Sequence, residues 1–369
     1  MSGFRNVSHF APISINGLSG MGRVAMHWRE ALIRRGWIFR HYGTDEVPLP
    51  RLKPLWAVAA KRVWRAAGER QDMFLVHEPS AETLRQTGIP TVLFSHGLEA
   101  RSQQLAPVES DLAKSRLREH IMRPFWRWRV WQRELGLKHC PLLLLINEED
   151  RAYAISHYGR RPEDIFVFRN GVDSSPLQPQ HLRLGPPSVL FYGSWLERKG
   201  KSILVQTAMR LAEDGIHLRW LLVGTGISAP EVLRDWPATL HSAVEVIPHV
   251  KAEDDDLIYE RAMVFVLPSY FEGQPLTLLQ AMESGRCVIA SGCCGQKDIV
   301  RHGHNGFLFP PGDADELARL IALVVSDRDL RLKLGTQAKE DMASRRWPIV
   351  ADDVADRLEQ FMEDRRCLG

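Results

Sequence analysis

Short apolar runs that alternate with helical stretches constrain this chain more than any other feature. The runs are apolar throughout rather than at every second residue, which indicates strands buried on both faces of a parallel sheet covered by helices. In the first half of the chain they are DMFLVHE, TVLFSHG, PLLLLIN and DIFVFRNG. In the second half they are SVLFYGS, LRWLLVG, VEVIP, MVFVLPS and CVIASG. The pattern therefore predicts an α/β fold built from doubly wound sheets.

The chain is too long for a single core of average size. At 369 residues it exceeds the length at which one hydrophobic core usually stops growing. The segment SSPLQPQHLRLGPP, residues 174–187, separates the two sets of runs, is rich in proline and has no periodicity. We therefore expect an N-terminal domain of residues 1–173, a linker of residues 174–187 and a C-terminal domain of residues 188–346. The two domains are expected to face one another.

The stretch PSYFEGQPLTLLQAMESG, residues 268–285, contains a helix start without a capping residue. Pro275 stands where the helix would begin, and the preceding Gln274 is not a residue that usually caps a helix. Gly273 leaves the first amides unshielded, which suits a phosphate, whereas Glu272 suits the hydroxyls of a polyol. Together these features indicate a nucleotide sugar. The alternative is an exposed acid before an ordinary core helix, and this stretch alone does not decide between the two.

Further motifs occur in a fixed order along the chain. They are GLSGMGRVAMHWREALIRRGW, SHG, NGVD, GSWLERKG, the helix-start stretch with its continuation RCVIASGCCGQKDIV, and WPIVADDVADRLEQFMEDRR. In this order they resemble the retaining, nucleotide-sugar-dependent glycosyltransferases of family 4, over most of the chain. The resemblance implies the GT-B fold, in which two Rossmann-like domains face one another across a cleft. It also implies that residues 347–369 form a helix that crosses back to the N-terminal domain.

The resemblance assigns donor-binding roles residue by residue. Glu272 matches the first acid of the family's E-x7-E motif, which contacts the donor sugar, and Gln280 stands where the second acid would hold the ribose. Lys199 matches a lysine that contacts the donor diphosphate. Ser194 replaces a usual arginine, and Arg198 is a candidate substitute for that charge, although ERKG without the resemblance is typical of a solvated loop. The expected donor-binding set is Ser194, Arg198, Lys199, Glu272, Gly273, Pro275, Leu276, Thr277 and Gln280.

Three residues of the first half complete the expected site. His96 in SHG matches a family histidine near the donor sugar, although a lone histidine is more often structural. Gly17 and Gly20 would allow close backbone approach in an acceptor-side loop. The expected catalytic residues are therefore Lys199, Glu272 and His96. The glycine spacing is not that of the dinucleotide fingerprint, so NAD is not the expected ligand.

The two halves of the chain carry opposite net charge. Residues 1–173 have a net charge of +8 and residues 174–369 one of −5, which together give the +3 of the whole chain. A basic first half favours anions, and an anionic membrane surface is a candidate partner. The segment RPFWRWRVWQRELGLKH, residues 123–139, suits an interfacial helix. We favour core packing of its tryptophans, because a Trp stripe at helical spacing is usually buried. Nucleic acid binding is not expected, because no recognised module is present.

No cofactor or metal is expected beyond a UDP- or GDP-sugar as co-substrate. The D-x-D pattern in EDDD, residues 253–256, precedes a helical stretch, where acidic residues favour the helix start. Cys293 and Cys294 lack further ligands at metal-site spacing, so they are interpreted as part of a structural loop. An odd number of cysteines predicts a reducing compartment. The sequence shows no signal peptide and no spanning segment, which predicts a cytoplasmic protein, with peripheral attachment to the inner face of a membrane left open.

These observations predict a retaining, metal-independent glycosyltransferase. It would move a hexose-type sugar from a nucleotide-diphosphate sugar to a saccharide acceptor, lipid-linked or free. Two alternatives remain open at this point. A nucleotide-sugar isomerase or hydrolase of similar fold would carry extra acid and base residues near the sugar, and a non-catalytic binding subunit would explain the replacements at Gln280 and Ser194.

Overall fold

The computed structural model describes residues 5–15, 19–48, 53–105, 116–178, 188–251 and 254–367. These residues form two compact units, each built around one six-stranded parallel sheet. Unit 1 takes the described residues of Met1–Leu98, Ser110–Arg169 and Pro348–Gly369. Unit 2 takes those of Glu99–Glu109 and Asn170–Trp347. The architecture is that of two Rossmann-like domains, as predicted.

The elements alternate between strand and helix through both units. The strands of unit 1 are β1 (Arg5–Phe10), β2 (Trp37–Tyr42), β3 (Met73–His77), β4 (Thr91–Phe94), β5 (Leu142–Leu145) and β6 (Ile165–Val167). Those of unit 2 are β7 (Ser188–Tyr192), β8 (Arg219–Val223), β9 (Val244–Ile247), β10 (Val264–Leu267), β11 (Cys287–Ser291) and β12 (Phe307–Phe309). The α-helices are α1 (Gly20–Arg34), α2 (Trp56–Ala67), α3 (Ala81–Arg85), α4 (Glu99–Leu105), α5 (Arg116–His139), α6 (Glu148–Tyr158), α7 (Lys201–Glu213), α8 (Ala229–Leu233), α9 (Asp255–Glu260), α10 (Leu276–Glu283), α11 (Cys294–Ile299), α12 (Ala314–Ser326), α13 (Arg328–Asp341) and α14 (Trp347–Cys367).

The strand order of each sheet reverses once. In unit 1 the order is β2-β1-β3-β4-β5-β6, and in unit 2 it is β12-β11-β10-β7-β8-β9. The chain therefore winds in opposite directions from β1 and β3 in unit 1, and from β7 and β10 in unit 2. In open α/β sheets such a switch point, at the carboxyl ends of the strands, is where ligands bind. Each unit therefore has one switch point at which its topology favours a ligand-binding site.

All nine predicted strands are present, and seven of them occupy central positions of the sheets, whereas β6 and β9 are edge strands. Every residue of β4, β5, β10 and β11 is buried. Three further strands, β1, β2 and β12, were not predicted. The edge strand β2 alternates buried and exposed residues, β12 has three residues, and β1 buries the polar residues Ser8 and His9. Strands of these kinds lack the apolar run that marks a central strand.

The segment predicted as a linker is ordered where the structure describes it. Ser175 donates to Asp256 at 2.6 Å through its hydroxyl, and its amide donates to Glu283 at 3.2 Å. Leu177 is buried in the core of unit 2. Residues 174–178 therefore pack as part of unit 2, and the rest of the predicted linker lies outside the described residues. No helix in the described part of the chain has the length and apolar character needed to cross a membrane.

Candidate functional site

The loops that follow β7 and β10 meet at the switch point of unit 2. The Tyr270 amide donates to the Arg198 carbonyl at 2.9 Å, which fastens one loop to the other. Gly200 ends the first loop with φ +78°, and a Cβ there would lie 2.0 Å from the Pro268 carbonyl oxygen. Only glycine fits this position without moving the backbone. The close approach places the residues before α7 beside those before α10.

Lys199 and Glu272 form an ion pair at this junction. Nζ of Lys199 lies 2.5 Å from Oε1 of Glu272, whose side chain is only 8% exposed. Nη1 of Arg198 lies 3.9 Å from the same oxygen. The structure therefore brings together three residues that the sequence motifs placed in one site. Both cations approach Oε1, so Oε2 of Glu272 remains for a hydroxyl donor, and Lys199 keeps further N–H groups for an anion.

The start of α10 lacks a side-chain cap, as the sequence predicted. Pro275 occupies the N-cap position with φ −71° and ψ 120° and makes no capping hydrogen bond. The first helical residue is Leu276, one residue later than expected. Helix geometry leaves the amides of Leu276 and Thr277 without an intrahelical partner. Both residues are half-buried, as is Gly273, so this helix end presents free N–H groups beside Glu272.

Gln280 lies within α10, and Ser194 lies in the loop after β7. Nε2 of Gln280 donates a long hydrogen bond, 3.4 Å, to the Asp173 carbonyl. The side-chain oxygen Oε1 of Gln280 takes no part in this bond. Ser194 is exposed in the loop after β7, and its carbonyl accepts from the Leu196 amide at 2.9 Å. Their roles in holding ribose and diphosphate stay predictions.

Gln274 is a site residue that the sequence did not reveal. Its Oε1 accepts from the Asn170 amide and from Nη1 of Arg345, both at 2.9 Å, and its backbone carbonyl accepts from Nδ2 of Asn170 at 2.8 Å. Gln274 is buried, so these bonds fix the loop between Glu272 and α10. The sequence offered only the absence of a capping residue at this position, because the bonding partners lie far away in the chain.

The first turn of α11 contacts the backbone of Glu272 and Gly273. The Gly295 amide donates to the Glu272 carbonyl at 3.2 Å, and a Cβ on Gly295 would lie 1.4 Å from the Gly273 carbonyl oxygen. Cys293, at the N-cap position, and Cys294, the first residue of α11, are both buried, and Cys294 has a positive φ of 49°. A hydrogen bond from Cys294 lowers the pKa of Cys293. The two cysteines pack against Phe271.

His96 lies after β4 in unit 1, in a cluster of aromatic rings. Its ring stacks with those of Trp28 and His77, with centroids 6.1 and 6.2 Å apart, and Phe94 and Phe168 meet it edge-on. Burial, and secondly the charge of His77, lowers the pKa of His96 to about 3. The ring is therefore neutral at pH 7 and can donate or accept a hydrogen bond, but it does not supply a charge.

Of the two glycines predicted in the acceptor-side loop, Gly20 lies within the described residues and Gly17 does not. Gly20 is the first residue of α1, whose N-cap Ser19 accepts a hydrogen bond from the Gly22 amide at 3.0 Å. This helix start is therefore capped by a side chain, unlike that of α10. Gly17 lies outside the described residues.

The acidic run before α9 is used within the protein. Asp255 accepts from the Tyr192 hydroxyl at 2.8 Å and Asp256 from Ser175. Helix α9 begins at Asp255, so these carboxylates lie in its first turn. Glu253 lies outside the described residues. Among the residues that the structure describes, no group of three or more His, Cys, Asp or Glu side chains is arranged to hold a metal ion.

The tryptophans of α5 do not all pack in the core, and the packing interpretation is wrong for two of them. Trp126 is 48% and Trp131 52% exposed. Where the structure describes burial along this helix, the buried residues are Gln132, Arg133, Gly136 and Leu137. The hydroxyl of Thr83 donates to Gln132 at 2.7 Å, so polar side chains rather than the Trp stripe fasten the helix to unit 1.

Comparison with known families covers most of the chain. A family model described as "Glycosyltransferase Family 4" matches residues 18–175, and one described as "Glycosyl transferases group 1" matches residues 176–341. A D-inositol 3-phosphate glycosyltransferase of Streptomyces bingchenggensis is 29% identical over 246 residues, 61% of this chain and 54% of that protein. The chain thus spans about half the length of this relative.

Solved structures match the fold along nearly the whole chain. Sucrose-phosphate synthase from Thermosynechococcus elongatus superposes with a TM-score of 0.81 at 18% identity, covering 98% of this chain and 100% of that one. Anabaena HepE, solved with UDP and glucose, gives a TM-score of 0.68 at 18% identity, covering 96% and 100%. These likenesses show the GT-B fold. The chain therefore belongs to the group 1, family 4 glycosyltransferases.

Proposed function

We propose that the protein is a retaining, metal-independent hexosyltransferase that uses a UDP- or GDP-sugar and a saccharide acceptor. The observation that carries the proposal is the ion pair of Lys199 and Glu272 beside the uncapped start of α10, at the switch point of unit 2. The Lys199 cation and the free amides of α10 suit the diphosphate of a nucleotide sugar, and the Glu272 carboxylate suits the hydroxyls of its sugar. The proposal is supported by HepE, a structural relative solved with UDP and glucose.

The donor diphosphate would lie against the amides of Leu276 and Thr277. Lys199, with N–H groups beyond the one that meets Glu272, would bind a phosphate oxygen and neutralise the charge that develops on the departing nucleotide. Fixed donors of this kind need no reorganisation during the reaction, so they stabilise the transition state more than the ground state. These groups supply the positive charge that a metal ion provides in other transferases, and EDTA should therefore leave transfer intact.

Glu272 would orient the donor sugar within unit 2, and the family resemblance assigns His96 of unit 1 a further contact to that sugar. Oε2 of Glu272 would accept from a sugar hydroxyl, and the neutral ring of His96 would provide a hydrogen bond without charge. The acceptor hydroxyl would attack on the face from which the nucleotide leaves, with a phosphate oxygen of the leaving group taking its proton. Retention is proposed from the family resemblance, and positioning rather than a protein nucleophile carries this mechanism.

The acceptor is proposed to be a saccharide, lipid-linked or free. The basic first half of the chain suits an anionic acceptor, and attachment to an anionic membrane at the cytoplasmic face is part of the proposal. The exposed Trp126 and Trp131 of α5 supply amphipathic side chains of the kind found at membrane interfaces. The relative named as a D-inositol 3-phosphate glycosyltransferase supports a charged acceptor.

A thermal-shift panel of UDP, GDP, ADP, CMP and dTDP, each with its common sugars, tests the donor assignment. A ligand that binds only the folded protein raises its melting temperature by mass action, and we expect one base to do so clearly. Radiolabelled donor then separates the reaction types, because sugar released without acceptor would indicate a hydrolase. A panel without any shift would contradict the proposal and favour a binding subunit that has lost its donor site.

A further inference from the structure

The short segment that carries His96 is fastened at both of its ends. The Ser95 amide donates to the Leu144 carbonyl at 3.0 Å, which extends the hydrogen bonding between β4 and β5 by one residue. Two residues after His96, the Leu98 amide donates to Oδ2 of Asp150 at 3.0 Å. Ser95 and Leu98 are both fully buried. His96 therefore lies between one contact within the sheet and one contact to a side chain of α6.

A glycine makes the turn between these two contacts. Gly97 has a positive φ of 129°, a backbone conformation that residues with a Cβ rarely adopt. The chain therefore changes direction directly after His96. The sheet holds the near side of this turn, and the hydrogen bond from Leu98 to Asp150 holds its far side. The place from which the His96 ring projects depends on both contacts.

Asp150 is a fully buried side chain in the first turn of α6. Its Oδ2 also accepts from Nδ2 of Asn147 at 3.1 Å, and its amide donates to Oδ1 of Asn147, the N-cap residue, at 2.7 Å. The positive end of a helix favours an acidic side chain at this place, and burying such a group is costly unless hydrogen bonds compensate it. These contacts hold the side chain in one orientation, with Oδ2 directed at the Leu98 amide.

We propose that Asp150 is the positioning residue of His96, acting through the Leu98 amide and the turn at Gly97. This inference rests on the proposed function, in which the family resemblance assigns His96 a contact to the donor sugar. Such contacts tolerate little displacement, because a shift of about 1 Å caused far from the reacting atoms can lower a rate about 100-fold. Asp150 itself is fully buried, so its effect on the sugar is indirect.

Histidine-ring NMR of the full chain without ligand tests the positioning directly. The signals of His96 are identified by their loss in His96→Ala. The ring packs against those of Trp28, Phe94 and Phe168, with centroids 5.6–6.1 Å away, so that a small displacement changes the shielding that it receives from them. Asp150→Ala should therefore shift the His96 signals. Asp150→Asn keeps a side-chain oxygen that can accept from the backbone amide, and it should leave the signals close to their original positions.

Glu148→Ala is the matched control, because Glu148 lies in the same first turn of α6 and is exposed. It should leave the His96 signals in place. Should Asp150→Ala fail to fold, Asp150→Glu replaces it, since it keeps an acidic side chain at the helix start but moves the carboxyl group by one methylene. His96 signals that stay in place in Asp150→Ala, or in the variant that replaces it, would overturn the inference. Signals that move as far in the control would do the same.

Titration calorimetry then shows whether the displacement reaches the donor sugar. The probes are UDP with UDP-glucose and GDP with GDP-mannose. His96→Ala should weaken the nucleotide sugar about 5-fold, as loss of one hydrogen bond does, and leave binding of the free nucleotide unchanged. Asp150→Ala should do the same, but it should cause no further loss when added to His96→Ala. A loss that affects nucleotide and nucleotide sugar alike, or that is equal in both backgrounds, would show a general structural role and overturn the inference.

The two measurements separate this inference from the proposed function. Asp150 and His96 belong to unit 1, whereas the donor residues belong to unit 2, so Asp150→Ala should keep the melting-temperature rise caused by the free nucleotide. If no nucleotide binds but Asp150→Ala shifts the His96 signals, the transferase proposal fails and the positioning stands. If nucleotide sugars bind and the His96 signals do not move, the inference is wrong and the transferase proposal stands. Unchanged sugar binding in His96→Ala would also overturn the inference, without affecting the donor site of unit 2.

Discussion

Glu272 is a carboxylate with little access to water, and two cationic side chains approach it. Lys199 contacts Oε1 at 2.5 Å, and Arg198 lies at 3.9 Å with greater exposure. Removing one partner of a buried ion pair commonly costs about 3–5 kcal/mol, because the remaining charge loses its compensation. Since Arg198 remains nearby, we expect a cost at the lower end of this range. A change at Lys199 therefore affects stability as well as catalysis, and the two effects must be separated.

Lys199→Ala should lower kcat at least about 100-fold, because it removes the cation that faces the leaving diphosphate. Urea unfolding should show a loss of about 3 kcal/mol. Adding Glu272→Gln should recover part of that stability, which would assign the stability loss to the carboxylate left without its cation. Lys201→Ala is the control, because Lys201 contacts Asp235 at 2.8 Å instead. Turnover near that of the unmodified protein in Lys199→Ala would remove Lys199 from the mechanism.

The elements of the donor site were predictable to different degrees. Strands β7 and β10 are continuous apolar runs, so their ends, where Lys199 and Glu272 lie, could be located from sequence. The motif matches then paired these two residues across 73 positions of the chain. Gln274 could not be assigned in this way, because its partners Asn170 and Arg345 come from distant segments and polar residues there resemble solvated loops. A buried amide that joins three segments leaves no periodic signal in the sequence.

Gln274→Leu should destabilise unit 2 and weaken donor binding. The leucine would leave the Asn170 amide and the Arg345 guanidinium without their acceptor, at a cost of about 2–4 kcal/mol. Because the loop carries Glu272, the donor KM should rise and kcat should fall together. Gln274→Glu keeps an acceptor oxygen for both donors and should retain most of the activity. Steady-state kinetics and urea unfolding measure both effects, and equal behaviour of the two variants would contradict a positioning role.

At the scale of the whole molecule, unit 1 is assembled from segments at opposite ends of the chain. Glu359 of α14 accepts hydrogen bonds from Arg5 at 3.2 Å, Arg35 at 3.1 Å and Trp37 at 3.1 Å. These residues belong to β1, to the end of α1 and to β2, so the last helix fastens the sheet edge of unit 1. Composition could not predict this arrangement. The family resemblance predicted a helix over residues 347–369 that returns to the N-terminal domain, and α14 spans Trp347–Cys367.

Glu359→Ala should loosen unit 1 selectively. Three donors lose one partly buried acceptor, and we expect a loss of about 1–3 kcal/mol. Hydrogen exchange should accelerate in β1 and β2, while amides of β7 and β10 keep their protection. Glu363→Ala is the control, because Glu363 is 63% exposed and meets Arg5 at 3.4 Å, and exposed ion pairs of this kind contribute little to stability. Equal acceleration in both sheets would show that the two units do not open separately.

The position of α14 also has a consequence for how the protein is made. Since β1 and β2 leave the ribosome first and α14 last, the sheet of unit 1 emerges without the helix that fastens its edge. At about 5–20 residues per second, the roughly 180 residues of unit 2 between Arg169 and Pro348 take on the order of 10 to 35 s to synthesise. During that interval the nascent chain exposes the surface that Glu359 and its neighbours later cover. Unit 2, although second in the chain, is therefore the first of the two to have all its segments available for folding.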